Sequence, residues 1–493
     1  MSSYEEVLIG VVCSVGDGAH SKVKRIDEGV PYLTSKNIGQ GNLKLDKLDF
    51  ISEESFEKLF PANSKATRRP QPGDVLFGII GTFGNAYLYK EDDHFGFSSS
   101  IGVLRPDPER LDSEFLYYVV SSRVFKSNHA NHNAGSVQGY TNIPTVKSLP
   151  IPLPPMAEQK RIAKILKSLD EKIELNRQTN QTLEHIAQAI FKSWFVDFEP
   201  TRAKIAAKEE WAKRSLTAKD GGNDENAGAI FVERAAMAAI SGKSLEELEQ
   251  LSPEHDVQGG TNVAGAGSAG ATLEQLKKTA ALFPDTLVDS ELGEIPEGWE
   301  WSEIGNEVAV VGGGTPSTKK EEFWEGGHIN WTSPKDMSSL TDKILLETDR
   351  KITEAGLAKI SSGLLPVNTV LMSSRAPVGY LAISKIPIAI NQGYIAMKCE
   401  DRLTPEYIVQ WAESVMDDIK QRASGTTFAE ISKKNFKVIP VIVPGKDVTS
   451  EFSQIASSLY EKITEALNET KYLTETRNAL LPRLLSGEIE LAG

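Results

Sequence analysis

Two long stretches of the chain, 156–195 and 448–487, place apolar residues at alternating steps of four and three, the spacing of a heptad seam. The first seam runs through Ile162, Leu166, Leu169, Ile173, Asn180, Leu183, Ile190 and Trp194. The second runs through Phe452, Leu459, Ile463, Thr470, Leu473, Leu480 and Leu484. A lone amphipathic helix of this length is not stable in water, so each seam must be buried. We expect the two helices to pair antiparallel, although two ordinary bundle helices in separate domains would also fit.

The two helices belong to a longer internal repeat. Gly135 and Gly425 share an offset of 290 residues with Pro150 and Pro440, and looser matches continue upstream. The chain therefore predicts a duplicated globular domain, each copy followed by a helix. The predicted boundaries are a first globular repeat at 1–155, a central spacer helix at 156–200, an Ala/Gly-rich acidic insert and linker at 201–290, a second globular repeat at 291–447 and a C-terminal spacer helix at 448–487.

Both globular repeats mix strand and helix patterns. Apolar runs broken by Gly, Pro and Ser turns predict strands at 30–38, 73–80, 369–374 and 380–384. Amphipathic stretches predict helices at 113–127 and 404–423, with Ser113 and Thr404 as N-caps. The predicted fold class is α+β, with two mixed α/β repeats in pseudo-two-fold symmetry joined by two long antiparallel coiled-coil helices.

Polar loops recur at matching places in the two repeats. Small polar side chains, amides and Lys or Arg can reach phosphates and base edges, so these loops are candidates for DNA binding. Each residue taken alone fits a solvated turn held by its own side chain better, but the recurrence of the set in both repeats favours a binding face. The candidates are Thr34, Ser35, Lys36, Asn37, Thr82, Phe83, Gln138, Tyr140, Thr332, Ser333, Lys335, Asp336, Ser374, Arg375, Thr426 and Thr427.

Composition narrows the class of protein. The chain has 493 residues, a formal net charge of −14 and two cysteines, so a disulfide framework or a four-cysteine zinc site is excluded. Segment 201–300 holds 10 basic and 18 acidic residues, which concentrates the negative charge there and leaves the repeats near neutral. No apolar run approaches the length of a membrane span, and we expect a cytoplasmic protein without a membrane partner.

A search for enzyme motifs finds no catalytic residues and no metal site. Gly242-Lys243-Ser244 resembles the end of a phosphate-binding loop, but Met237 stands where that motif requires glycine. HExxH, CxxC and GxSxG are absent from the sequence. An Asn-Pro-Pro-aromatic run is also absent, which argues against methylation of a base amino group by this chain itself.

Several strings resemble the specificity subunit of type I restriction–modification enzymes: PLPPMAEQKRIAKILKSLDEKI (152–173), IFKSWFVDFEP (190–200), ALFPDTLVDSELGEIPEGWEW (281–301) and GGGTPSTKKEEFWEGGHINWTSPKDM (312–337). The resemblance implies a non-catalytic subunit with two target recognition domains, each reading one half of a bipartite site in double-stranded DNA. The helices would set the gap and dock two methyltransferase (modification) subunits, and restriction/motor subunits would complete the complex. S-adenosylmethionine, ATP and Mg would be bound by those partners and no cofactor by this chain.

Two other functions stay open at this point. A bivalent scaffold that binds two protein partners without reading DNA would share the duplicated architecture. A stand-alone enzyme is disfavoured by the motif search.

Overall fold

The computed structural model describes residues 4–62, 68–80, 85–132, 141–217, 225–250, 266–425 and 429–489. It divides into two compact units, the first made of Met1–Asn176 with Asn468–Gly493 and the second of Arg177–Leu467. This division cuts across both long helices, whereas the sequence analysis treats each helix as a segment of its own.

The first globular repeat and the helix that follows it begin the chain. Their elements are β1 (Glu6–Leu8), α1 (Ile9–Val12), β2 (Cys13–Asp17), β3 (Val30–Leu33), a 3-10 turn (Ser35–Asn37), β4 (Asp49–Ile51), α2 (Glu53–Leu59), β5 (Val75–Gly78), β6 (Ala86–Leu88), β7 (Gly96–Phe97), β8 (Ile101–Pro106), α3 (Ser113–Ser121), α4 (Arg123–His132), α5 (Ile143–Lys147), β9 (Pro150–Pro152) and α6 (Met156–Phe195).

The insert, the second repeat and the last helix follow. Their elements are α7 (Glu199–Thr217), α8 (Glu225–Ser241), α9 (Leu245–Gln250), α10 (Ala266–Ala281), β10 (Leu287–Ser290), β11 (Gly293–Pro296), β12 (Glu300–Glu303), α11 (Ile304–Glu307), β13 (Ala309–Val311), a 3-10 turn (Glu321–Phe323), β14 (Ile329–Thr332), α12 (Pro334–Met337), β15 (Ile344–Leu345), β16 (Arg350–Ile352), α13 (Glu354–Leu357), β17 (Val370–Ser373), β18 (Leu381–Ser384), β19 (Ala389–Ile390), β20 (Tyr394–Lys398), α14 (Pro405–Ser414), α15 (Met416–Gln421), α16 (Lys433–Lys437), β21 (Pro440–Val443) and α17 (Lys446–Leu485).

The two repeats share one sheet topology, to which the second repeat adds the edge strand β15. The larger sheet has the order β2-β8-β5-β6 in the first repeat and β13-β20-β17-β18-β15 in the second. The smaller sheet has the order β4-β3-β7 in the first and β16-β14-β19 in the second, with a parallel pairing of β3 to β7 and of β14 to β19. Short antiparallel pairs, β1 with β9 and β12 with β21, precede each long helix. Both repeats are therefore mixed α/β domains of one design.

The helices predicted at 113–127 and 404–423 are each broken in two, so the prediction of continuous helices is wrong. In the first, Ser122 has an extended backbone; its hydroxyl donates to the Val119 carbonyl at 2.7 Å and accepts from the Phe125 N–H at 3.2 Å. A serine that bonds the backbone on both sides ends one helix and begins the next. The N-cap of α3 is Asp112, one residue before the predicted Ser113, because the Asp112 carboxylate accepts from the Phe115 N–H at 2.9 Å.

Two other local predictions have different outcomes. Thr404 caps α14 as predicted, since its hydroxyl accepts from the Tyr407 N–H at 3.3 Å. The strand predicted at 30–38 ends early, because Thr34 and Asn37 form a capping box that turns the backbone into a 3-10 helix.

The long helices α6 and α17 each have 40 residues, about 60 Å at the usual rise. Every predicted seam residue in them is buried or half-buried. In the first unit, Ile162, Leu166 and Leu484 enter one apolar core. In the second unit, Trp194, Phe452 and Ile463 enter another core, on which Leu183 and Ile190 also pack.

Polar contacts join parts of the two long helices within the first unit. The Lys172 ammonium lies 3.0 Å from the Glu469 carboxylate. The Asn176 amide donates to that carboxylate at 2.8 Å and to the Thr470 hydroxyl at 3.3 Å. Asn176 thus makes the seam hydrogen bond, whereas the Oδ1 atom of the predicted Asn180 is buried without a partner. In this unit the helices run in opposite directions, because Asp170 and Arg477 also meet.

Helices α7, α8, α9 and α10 form most of the described part of the insert, which packs within the second unit. Ala236, Met237, Leu248 and Ala280 form its own small core. Within the described ranges, no helix combines the length and the hydropathy that crossing a bilayer requires.

Candidate nucleic-acid interface

Each repeat follows a strand of its smaller sheet with a capped helical turn. In the first repeat, Asn37 Oδ1 accepts from the Thr34 backbone N–H at 2.9 Å and from its hydroxyl at 3.1 Å. In the second, Asp336 Oδ2 accepts from the Ser333 backbone N–H at 2.7 Å and from its hydroxyl at 3.0 Å. These four predicted DNA-binding side chains therefore bond the turn itself, and their first role is to fix its geometry.

Two more of the predicted residues face inward. Ser35 is buried, and its hydroxyl donates to the Ile80 carbonyl at 2.7 Å. Thr332 is fully buried, with its hydroxyl 3.0 Å from the Tyr394 hydroxyl. Both hydroxyls are thus bonded within the first and second repeats themselves.

Lys36 and Lys335 are the residues of these turns whose side chains are exposed. They occupy equivalent positions, one residue before the acceptor of each capping box. A rigid turn with an exposed ammonium is suited to contact a phosphate. In each repeat, the predicted loop residues therefore divide into those whose side chains hold the turn together and one lysine whose side chain is exposed to solvent.

In the first repeat this turn borders a surface cavity of about 710 Å³. Four basic residues, Arg25, Lys36, Lys44 and Lys47, line it together with Asp46 and Asp49. Arg25 pairs with Asp49 at 2.7 Å, so the lysines supply the excess positive charge. The cavity offers a polyanion several cations within one concave surface. Sequence analysis missed Arg25, Lys44 and Lys47, because only the fold brings them beside Lys36.

The corresponding surface of the second repeat has a different chemistry. Arg350 begins β16 opposite Trp331, as Asp49 begins β4 opposite Tyr32 in the first repeat. The Arg350 guanidinium lies 3.6 Å from the centre of the Trp324 ring and 5.2 Å from that of Trp331. Such cation–π contacts hold an exposed guanidinium in a defined position. Equivalent positions therefore carry the acidic side chain of Asp49 in the first repeat and the basic side chain of Arg350, stacked on tryptophan, in the second.

The remaining predictions divide between buried, paired and undescribed residues. Ser374 is buried. Arg375 is half-exposed and lies 3.7 Å from the Glu430 carboxylate. Six predicted residues lie outside the described ranges, so their predicted roles stay untested: Thr82, Phe83, Gln138, Tyr140, Thr426 and Thr427.

Clusters of three or more His, Cys, Asp or Glu side chains that could hold a metal ion do not occur among the residues the structure describes. Burial raises the pKa of the Cys13 thiol to about 12 and also raises the pKa of Cys399, so neither thiol is ionised near neutral pH.

Comparison with known proteins identifies the family. The family model "Type I restriction modification DNA specificity domain" matches residues 1–185 and 296–471. The chain is 31% identical over 491 residues to the type I restriction enzyme HindI specificity subunit of Haemophilus influenzae, covering 97% of this chain and 98% of that protein. It is 30% identical over 187 residues to the MjaIX specificity subunit of Methanocaldococcus jannaschii, covering 38% of this chain and 43% of that protein.

A solved structure agrees in fold. The S subunit of a type I restriction–modification system from M. genitalium matches with a TM-score of 0.50 and 16% identity, covering 100% of this chain and 97% of that one. Two copies of the DNA specificity domain, a near full-length relative and a shared fold all agree. The chain therefore belongs to the family of type I restriction–modification specificity subunits.

Proposed function

We propose that this chain is the DNA sequence-recognition subunit of a type I restriction–modification complex, in which each globular repeat reads one half of a bipartite site. The observation that carries the proposal is the match of the DNA specificity domain to both repeats. The shared sheet topology and the capped turns with Lys36 and Lys335 support it. A duplicated reader whose two surfaces differ in charge is suited to two different half-sites.

We further propose that α6 and α17 form one antiparallel coiled coil that sets the gap between the half-sites. The burial of every predicted seam residue supports this arrangement. So do the contacts of Lys172 and Asn176 with Glu469 in one unit, and of Phe191 and Trp194 with Phe452 in the other. A polar pair such as Asn176 with Thr470 fixes the register of a seam.

Partner subunits supply the chemistry in this proposal. Two modification subunits carry S-adenosylmethionine and methylate adenine, and restriction/motor subunits use ATP and Mg. The outer faces of the long helices expose large apolar side chains, including Leu175 at 55% and Tyr472 at 69% of their surface. Exposed apolar residues on a rigid helix suit protein docking, so we assign this surface to the modification subunits.

A protein-only scaffold is the alternative function, and the family match to a DNA specificity domain disfavours it. Salt dependence separates the two. A complex that contacts phosphates loses affinity steeply as salt rises, because condensed counterions are released on binding. A scaffold has no DNA affinity at any salt concentration.

The helix-spacer proposal has a direct test. Seven residues are inserted between Arg177 and Gln178 and seven between Asn468 and Glu469, which keeps the heptad register. The insertion lengthens each helix by about 10 Å, the rise of about three base pairs. We expect methylated sites with unchanged half-sites and a gap about three base pairs longer. The control is a seven-residue insertion in the glycine-rich segment 259–271, which should leave the gap unchanged. Altered half-sites with a constant gap would contradict the spacer role.

A further inference from the structure

Within the first unit, one carboxylate joins the globular repeat to both long helices. The Tyr118 hydroxyl of α3 donates to Asp170 Oδ2 of α6 at 2.9 Å. The Arg477 guanidinium of α17 donates to Asp170 Oδ1 at 2.6 Å. Burial raises the pKa of Tyr118 and the Asp170 charge raises it further, so the hydroxyl stays a donor across the physiological range. We call Tyr118, Asp170 and Arg477 the first junction.

Within the second unit, a different polar cluster occupies the same place. Glu184 Oε1 of α6 accepts from the Lys343 ammonium at 2.9 Å, from the Gln410 amide at 3.0 Å and from the Tyr460 hydroxyl at 3.3 Å. The Gln410 amide of α14 also donates to the Tyr460 hydroxyl of α17 at 2.8 Å. Gln410 and Tyr460 are almost fully buried. We call Glu184, Lys343, Gln410 and Tyr460 the second junction.

The residues that link each repeat to its own long helix are equivalent by position. Tyr118 and Gln410 each lie six residues after the capping residue of their helix, Asp112 and Thr404. Asp170 and Tyr460 are related by the offset of 290 residues that relates the two long helices. Both junctions therefore use one contact inherited from the duplication, but the tyrosine lies on the repeat in the first and on the long helix in the second.

The other members of the two junctions are not equivalent. Arg477 corresponds to the buried Ala187 of α6, and Glu184 corresponds to the uncharged Thr474 of α17. Lys343 directly precedes β15, an edge strand that has no counterpart in the larger sheet of the first repeat as far as that sheet is described. Arg477 and Glu184 thus have no charged equivalent at the other junction.

Polar clusters of this kind restrict how two surfaces fit together. Apolar side chains tolerate small shifts, whereas a half-buried ion pair with a shared hydrogen bond is satisfied in one geometry only. A second repeat placed on the first junction would bring a shorter glutamine opposite Asp170. A first repeat placed on the second junction would force a tyrosine into the space of Gln410, beside the buried Tyr460.

We propose that each junction accepts only its own repeat and holds that repeat at one orientation on the long helices. Neither repeat could then replace the other. This inference rests on the proposed function, because a fixed orientation matters only if both repeats must engage one DNA duplex. The junction residues are positioning residues: they act through the repeats and leave the half-site sequences to the reading loops.

The test uses the full chain reconstituted with its modification subunits, and it compares methylation of targets with the native gap against targets whose gap is one base pair longer or shorter. The variants are Tyr118→Phe, Asp170→Asn and the double variant. Tyr118→Phe removes only a hydroxyl and keeps the ring. Lys172→Met is the matched control, because its ion pair with Glu469 joins the same helices without touching the repeat.

We expect each single variant to lower the preference for the native gap about tenfold, the effect of losing a hydrogen bond to a charged group. The double variant should be no worse than Asp170→Asn, since the residues act as a unit. Lys172→Met should keep the preference, and all variants should keep the half-site sequences. An unchanged gap preference in Tyr118→Phe, with or without a lower melting temperature, would contradict the positioning role of the first junction. An equal loss of gap preference in Lys172→Met would contradict it as well. A wild-type complex without sequence preference would instead refute the proposed function.

Discussion

The two globular repeats share a backbone plan and differ in what they present on it. Both have the same strand order in the smaller sheet and in the larger sheet apart from the added edge strand β15 of the second repeat, and both follow the smaller sheet's central strand with a capped turn. At one equivalent position, however, Asp49 pairs with Arg25 in the first repeat, whereas Arg350 stacks on Trp324 in the second. Duplication thus kept the scaffold while the exposed chemistry diverged.

At one pair of equivalent positions, Gly10 and Gly305, the backbone of both copies leaves no room for a side chain. A Cβ atom on Gly10 would lie 2.9 Å from the Lys147 Cβ, and one on Gly305 would lie 2.6 Å from the Lys437 Cβ. These glycines allow a short helix to pack directly on a second short helix in each repeat. The shared steric limit explains why this feature survived in both copies.

The strongest contrast between the units is in the side chains that the long helices bury. The second unit packs Phe191, Trp194 and Phe195 around Phe452, with ring centres 5.1–6.2 Å from that of Phe452. The first unit buries aliphatic residues such as Leu484. Phe452→Ala should destabilise its unit by about 3–5 kcal/mol, and Leu484→Ala should destabilise the other by about 2–5 kcal/mol.

Hydrogen exchange resolved along the chain measures both effects. Phe452→Ala should weaken protection mainly in Arg177–Leu467, and Leu484→Ala mainly in Met1–Asn176. Equal loss of protection in both units from either variant would contradict separate cores.

The matched glycines give a second, smaller test. Gly305→Ala should destabilise the protein by about 1–3 kcal/mol through overpacking, and Gly10→Ala by less, because its contacts are longer. Gly445→Ala is the control, since nothing lies within 4 Å of the Cβ it would add. The melting temperature should be highest for Gly445→Ala, lower for Gly10→Ala and lowest for Gly305→Ala. If Gly445→Ala were as unstable as Gly305→Ala, the steric explanation would be wrong.

The smallest expected effects concern the exposed lysines. Lys36→Met and Lys335→Met should each weaken DNA binding by the complex and reduce the slope of log affinity against log salt by about one, the loss of one phosphate contact. Titration of labelled DNA at several salt concentrations measures the slope. Lys172→Met is the control with the same charge change. Unchanged slopes in both lysine variants would show that the capped turns do not contact DNA phosphates.

Local patterns in the sequence were sufficient to predict where the two long helices lie, because a heptad seam repeats along one helix and the duplication repeats the same seam in the other. The break at Ser122 was not predictable from amphipathic spacing, since it depends on one hydroxyl that bonds the backbone on both sides. The roles of Asn37 and Asp336 were missed for a similar reason: a polar loop residue that closes a capping box looks in sequence like one that faces a ligand.

Which individual side chains meet in the folded chain could not be predicted from the sequence pattern. Lys44 and Lys47 join Lys36 at one cavity only because the smaller sheet and its following loop fold together. The Asn176 amide bonds Glu469 and Thr470, which depends on how the side chains meet across the seam.

Each repeat is expected to read its own half of one site. The direct measurement is single-molecule sequencing of methylated bases in cells that express the complex with residues 1–150 replaced by the corresponding repeat of a relative with another specificity, with a tyrosine kept at position 118. We expect one half-site to change while the other half-site and the gap stay the same. A change in both half-sites, or in neither, would contradict it.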